Sequence, residues 1–247
     1  MTNYAWHDGF IPRDFPHEPF DVADSWRQSS GRTNGLQLHV ERFSRTAGPL
    51  PSGFVDEMLA LLEQVEQGEL FPRIAAVSSL LLLDVRPAPP ARTDTKLTYV
   101  TAPDPRTYPL VKGPDFDALR AYRELHQKTN TDDTVITAPD GSMLETTTGA
   151  LVMWGNNTLY IPDGVWLPSV TLHQVTERAE SLGIGVEPTR LTPELAAEHP
   201  LWFLNSLHGI SPVSEIHTSS GVITPPPHLD YAQWRDWWWD GFVFEFL

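Results

Sequence analysis

Only three lysines, Lys96, Lys112 and Lys128, stand beside fourteen arginines, so each amine is conspicuous. Lys96 lies in polar surroundings, and Lys128 falls near the end of an expected helix, where a cation meets exposed carbonyls. Both read as solvated side chains. Lys112 is placed differently: it follows the apolar pair Leu110-Val111, read as the end of a strand, and precedes Gly113-Pro114 and a helix. Apolar neighbours desolvate an ammonium, which lowers its pKa and frees the amine as a nucleophile. No thiol competes for that role, because the chain has no cysteine. The nine histidines show no metal spacing of the H-E-x-x-H kind, so no metal site is expected. Leu182-Gly183-Ile184-Gly185 reads as a helix exit and not as a dinucleotide fingerprint.

The elements around Lys112 follow from periodicity and turn chemistry. Upstream, a short helix is expected over Leu36–Thr46, and Val55, Met58, Leu59, Leu62 and Val65 form one apolar helical face. Ala75–Val85 reads as a buried strand, and Leu97–Val100 resumes strand character. The turn-rich Thr101–Arg106 then marks a boundary, giving a smaller N-terminal domain (1–106) and a larger C-terminal one (107–247). Downstream, Asp115 caps a helix whose Phe116, Leu119 and Tyr122 share a face. Short antiparallel strands follow at Thr134–Thr137, Ser142–Thr146, Ala150–Trp154 and Leu159–Ile161, joined by tight turns. A helix over Ser169–Leu182 is expected to turn Val170, His173, Gln174, Val175 and Leu182 inward and to stop at Gly183. Thr192-Pro193-Glu194 opens another, and Trp202–Asn205 is a strand leading into a loop over Ser206–Ser211. Strands and helices mix without strict alternation, which favours an α+β (mixed α/β) fold. The tryptophans at 234, 237, 238 and 239 are expected to pack against the domain or a subunit interface.

Composition narrows the partners. With 17 Lys+Arg against 32 Asp+Glu the formal charge is −15, which argues against nucleic acid and anionic membranes, since both need a basic face. No signal peptide and no apolar stretch of membrane-spanning length is seen, and the absence of cysteine points to a reducing cytoplasm.

Beyond Lys112 the order is distinctive: lysine, helix, strand, Pro-Asp-Gly turn, then Glu145 on the return strand, 33 residues after the lysine. Further blocks stand at Leu38-His39-Val40-Glu41-Arg42-Phe43, Leu167-Pro168-Ser169-Val170-Thr171 and Asn205-Ser206-Leu207-His208-Gly209-Ile210-Ser211-Pro212-Val213. In that order, and over roughly Gly35 to Val213, the chain resembles the class IV pyridoxal-phosphate (PLP) family. This family holds branched-chain and D-amino-acid aminotransferases and 4-amino-4-deoxychorismate lyase. The resemblance implies PLP fold type IV, two α/β domains with the cofactor in the cleft between them, and a homodimer. It makes Lys112 the Schiff-base lysine and general acid–base, and Glu145 the carboxylate that holds the proton of the pyridine nitrogen. Arg42, the backbone of Val170 and the hydroxyls of Thr171 and Ser206 would bind the phosphate, helped by the positive end of the helix. Asn205 and His208 would face the substrate. The sequence departs from the family at Ala150, where an asparagine is usual, and at Leu172, where aminotransferases often carry arginine. Asp115–Asp117 replace the stretch that normally holds a tyrosine. The leading reading is amino-group transfer between an amino acid and a 2-oxo acid. Lysis of aminodeoxychorismate to 4-aminobenzoate and pyruvate is the alternative. A non-catalytic binding protein of the same fold is the third, against which the joint retention of Lys112, Glu145 and Arg42 argues.

Overall fold

The structure, a computed structural model, describes residues 2–14, 18–65 and 68–244. Two compact units share the chain: Met1–Pro90 with Val111–Phe116 and Trp238–Leu247, and Ala91–Leu110 with Asp117–Trp237. Lys112 therefore belongs to the first unit, through a six-residue return of the chain.

In the first unit the elements are β1 (Thr2–Trp6), β2 (Phe10–Pro12), β3 (Val22–Ser25), β4 (Gln28–Ser29), β5 (Arg32–Thr33), α1 (Leu36–Ala47), α2 (Phe54–Val65), β6 (Glu69–Leu70), β7 (Arg73–Val77) and β8 (Leu80–Val85). The main sheet runs β2-β1-β8-β7-β3, all antiparallel, and β5-β4-β6 form a smaller one. On α2 the residues Phe54, Met58 and Leu62 recur every four positions and are buried against Phe43 and Ile74. That is the apolar stripe a core-facing helix needs.

Two expectations for this unit are corrected. Ala75–Val85 is not one strand but a hairpin, with Val77 opposite Leu80 and Ser78 at φ 56°. A left-handed serine is uncommon, and here the Ser78 N–H donates to Asp21 Oδ2 at 2.5 Å. No glycine or asparagine marks the turn. Nor does Lys112 end a strand: positions 107–115 carry no strand, because Pro109, Gly113 and Pro114 break any ladder around a two-residue apolar pair. What fixes the segment is a bond from Ala23 N–H, on β3, to the Lys112 carbonyl at 2.7 Å. Gly113 makes the approach possible. It sits at φ 128°, and a Cβ there would lie 2.7 Å from the Ala23 nitrogen and 2.9 Å from the Val22 carbonyl carbon.

The second unit holds β9 (Thr95–Thr98), most of α3 (Phe116–His126), β10 (Asp133–Thr137), β11 (Met143–Thr146), β12 (Ala150–Trp154), β13 (Thr158–Pro162), α4 (Val170–Ser181), β14 (Gly185–Thr189), α5 (Pro193–Ala196), β15 (Leu201–Asn205), β16 (Gly209–His217), β17 (Val222–Ile223) and most of α6 (Tyr231–Asp240). The strand order is β11-β10-β9-β16-β15-β12-β13-β14, and β11 also pairs with β12, so six strands close into a ring. Leu97, Val135, Leu151, Phe203 and Val213 pack together in its core. The closed mixed sheet and the surrounding helices make an α+β fold, as expected.

On α4 the inward set is Val170, Thr171, Leu172, Val175 and Ala179. His173 is exposed and pairs with Glu177, and Leu182 is exposed, both against expectation. Steps of three and four from Leu172 through Val175 to Ala179 explain why: His173 falls on the opposite side. The expected loop over Ser206–Ser211 is a three-residue turn, since β16 already starts at Gly209 and pairs with Asn205. Trp234 packs edge-on against Trp154 and Trp202. Among the described residues no helix is long and apolar enough to cross a membrane.

Candidate active site

In the first unit, β3 anchors two of the sequence-identified residues through consecutive positions. Ala23 binds the Lys112 carbonyl, and Asp24 binds Arg42. Asp24 is fully buried. Its Oδ2 accepts from Arg42 Nε at 2.7 Å, and its Oδ1 from Arg42 Nη2 at 2.8 Å and from the Ser25 N–H at 2.8 Å. The His39 ring, three residues before Arg42 on α1, completes the set through Nδ1, 2.8 Å from Asp24 Oδ1. Burial pushes the Asp24 carboxyl up, but the Arg42 charge and the hydrogen bonds from Arg42 and His39 outweigh it and hold the group well below the usual carboxylate range.

His39 is shifted the other way from a pocket cation. Burial lowers its pKa below the ordinary imidazole value, the Asp24 carboxylate opposes this, and the charges of Arg42 and Lys112 lower it further. The neutral ring donates its Nδ1–H to Asp24, and Nε2 is buried with no hydrogen-bond partner. The sign of the pH effect follows. The unfolded chain protonates His39 below about pH 6.5 while the folded protein resists, so this contribution is complete above that pH and is lost as pH falls. The loss approaches about 1.4 kcal/mol per pH unit below the unfolded pKa. His39→Gln should therefore flatten the fall of the urea midpoint between pH 6.5 and 5; parallel slopes for the two proteins would contradict this.

The three lysines are now distinct. Lys96 Nζ is 2.6 Å from Glu215 Oε1, and Lys128 Nζ donates to the Thr218 carbonyl. Lys112 is half-buried, near the Phe116 ring and coupled electrostatically to His39.

In the second unit the remaining residues form a closed circuit of contacts. Glu145 lies buried on β11, where Arg106 Nη1 donates to Oε1 and the Leu167 N–H donates to the same oxygen at 3.3 Å. Arg106 is itself held by Asp104, at 2.9 Å through Nε and 2.7 Å through Nη2. Burial works against the Arg106 charge, but the bonds to Asp104 and the Glu145 charge prevail and raise its pKa. From Leu167 the chain passes to Ser169, whose Oγ caps α4 by accepting from the Leu172 N–H at 3.3 Å. Within the first turn the Thr171 hydroxyl lies 3.2 Å from that of Ser206. Ser206 follows Asn205, whose Oδ1 accepts from the N–H groups of Leu207 and His208 and whose Nδ2 donates to the Thr148 carbonyl at 3.2 Å. Thr148 in turn belongs to the turn after Glu145, gathered by the buried Asp133. That acid accepts from the hydroxyls of Thr146 (2.8 Å), Thr147 and Thr148 (2.5 Å) and from the N–H groups of Thr134 and Thr148. Gly149 lets the turn close: a Cβ there would meet the Phe203 ring at 2.5 Å.

Glu145, Val170, Thr171, Ser206, Asn205 and the buried His208 are thus brought into one neighbourhood of the second unit, and Lys112 and Arg42 are each bonded to β3 in the first. The polar atoms of the Asn205 side chain build the turn. Asp24, Arg106 and Asp133 have roles that the sequence did not reveal. Asp24 and Asp133 stand in ordinary strand-edge contexts, and Arg106 ends the Pro-rich stretch read as a boundary.

Comparison with known proteins adds the fold's relatives. The structure is similar to a branched-chain aminotransferase from the archaeon Thermoproteus uzoniensis with norvaline (TM-score 0.78, 15% identity, 96% of this chain and 93% of that one). It is similar to 4-amino-4-deoxychorismate lyase from Pseudomonas aeruginosa (TM-score 0.76, 18% identity, 96% and 98%). It is also similar to a branched-chain amino acid aminotransferase from T.th. with pyridoxamine 5'-phosphate (TM-score 0.75, 13% identity, 97% and 93%). No match is found among curated protein sequences. The sequence pattern of amino-transferase class IV matches residues 21–216, most of the chain, with Arg42, Lys112, Glu145, Thr171 and Ser206 all inside it. The chain belongs to the class IV aminotransferase family.

Proposed function

We propose that this protein is a pyridoxal 5'-phosphate enzyme that moves an amino group between an amino acid and a 2-oxo acid. The observation that carries the reading is the anchoring of Lys112 on β3 beside the Asp24–Arg42 pair. The residues suit the cofactor. Two hydroxyls 3.2 Å apart at the start of a twelve-residue helix, with the helix's own N–H groups, suit a phosphate dianion. Arg42 would add its charge. A carboxylate that accepts from Arg106 suits the protonated nitrogen of a pyridine ring. When bound, the cofactor supplies the electron sink for bond breaking at the substrate Cα. Lys112 would hold its aldehyde and, once released by substrate, carry the proton away from and back to the reacting carbons. Asn205 and His208 would lie nearest the substrate side chain. A cysteine-free chain of this family is proposed to work in the cytoplasm as a homodimer.

A specific observation supports the lyase as second reading: Leu172, where transferases often carry arginine, is buried at 2% exposure and offers no cation to an acceptor carboxylate. The reactions differ in stoichiometry. Protein loaded with PLP and given an amino acid without acceptor should release one equivalent of 2-oxo acid per site and stop. Continuous pyruvate and 4-aminobenzoate from aminodeoxychorismate, with no 2-oxo acid from any amino acid tried, would replace transfer by lysis.

A further inference from the structure

Arg42 is a partly buried cation held along one edge by Asp24. Asp24 takes Nε–H and one Nη2–H, a two-point bond along one edge that fixes the plane of the guanidinium. The Arg42 side chain is 13% exposed and Asp24 is 0% exposed. Burying such a pair contributes little to stability compared with apolar residues of the same size, so its value lies elsewhere. An arginine on a long flexible stem loses rotamer freedom when it grips an anion, and fixing the side chain beforehand removes that cost. His39 supports the clamp as a neutral donor, since a cationic ring would compete with Arg42 for the same carboxylate.

We infer that Asp24 is a positioning residue that orients Arg42 for the cofactor phosphate, and so lets the protein discriminate phosphorylated from unphosphorylated forms of vitamin B6. This rests on the PLP reading above. The bond network adds a second consequence. Ala23 fixes the Lys112 backbone and Asp24 fixes the Arg42 head, so adjacent residues of β3 set the span between the amine that takes the aldehyde and the cation that takes the phosphate.

The test is equilibrium binding of PLP and of pyridoxal, which lacks the phosphate, to the cofactor-free full chain, followed by quenching of tryptophan fluorescence. Asp24→Asn keeps the size of the side chain but weakens the clamp. It should reduce PLP affinity about 10-fold or more, the effect of losing a charge-assisted bond, and change pyridoxal affinity less than about 2-fold on the same scale. A merely structural role would lower both affinities alike, and that result, or an unchanged ratio, would overturn the inference. Should Asp24→Asn fail to fold, Arg42→Lys decides: it keeps the charge but cannot make the two-point bond, so it too should lose the preference for PLP. A ratio preserved in Arg42→Lys would show that charge without orientation suffices, against the inference. Wild-type protein that binds neither vitamer would sink the PLP reading itself. Wild type that prefers PLP beside an Asp24→Asn protein that prefers it equally would sink only the role of Asp24.

Discussion

Lys112→Ala should leave a folded protein that stays colourless when PLP is added and turns over at least about 10³-fold more slowly. The fold should survive because the lysine's structural bond is made by its backbone carbonyl, which accepts from the Ala23 N–H whatever side chain follows. The chemistry should not, because neither remaining lysine is placed to substitute. Lys96 is ion-paired with Glu215, and Lys128 is tied to a carbonyl of the loop after β16. Lys112→Arg sharpens the comparison, since it keeps a cation near His39 but supplies no nucleophilic amine. It should be as inactive as the alanine variant. Lys96→Ala should behave as wild type. The measurements are the visible absorbance after adding PLP, its fixation by borohydride, and the rate of 2-oxo acid formation. A yellow, borohydride-trappable Lys112→Ala protein would place the reactive amine elsewhere.

The parts of this site that were legible in the sequence are those written in local chemistry. Ser169 before Val170 reads as a cap, Pro139-Asp140-Gly141 reads as a turn, and their side chains act within three residues of themselves. The stop at Gly183 is local in the same way, at φ 73°. What stayed hidden depends on partners distant in the chain. Asp24 meets His39 and Arg42 at separations of 15 and 18 residues, and Arg106 meets Glu145 across 39. Nothing in a strand-edge aspartate or a post-proline arginine announces such a partner. The Ser78 turn was hidden for another reason: its left-handed serine is held by Asp21, 57 residues away, in place of the usual glycine. Periodicity also has a limit of its own on α4, where His173 next to Leu172 could be assigned to either face until the packing partners of Leu172 and Val175 were fixed.

Asp133→Ala should be the most destabilising single change in the second unit, by about 3–5 kcal/mol, comparable to stripping one partner from a buried charge network. The carboxylate has no exposure and accepts from three hydroxyls and two N–H groups. Its removal leaves those donors competing for few acceptors in a place water does not reach, at about 1–3 kcal/mol for each group left unsatisfied. For a domain of this size the melting temperature should fall by roughly 10 °C or more. The effect should reach the chemistry as well, because the threonines that Asp133 gathers directly follow Glu145 and carry the carbonyl to which Asn205 is bonded. Freed, that turn would loosen both the acid proposed for the ring nitrogen and the Ser206 hydroxyl beside Thr171. Thr147→Val removes a single donor from the same carboxylate and should cost about 1 kcal/mol, with little change in cofactor binding. If Asp133→Ala melted within about 2 °C of wild type, well short of the shift expected for several kcal/mol, the threonine turn would be self-supporting. The circuit from Glu145 to Thr171 would then need another keystone.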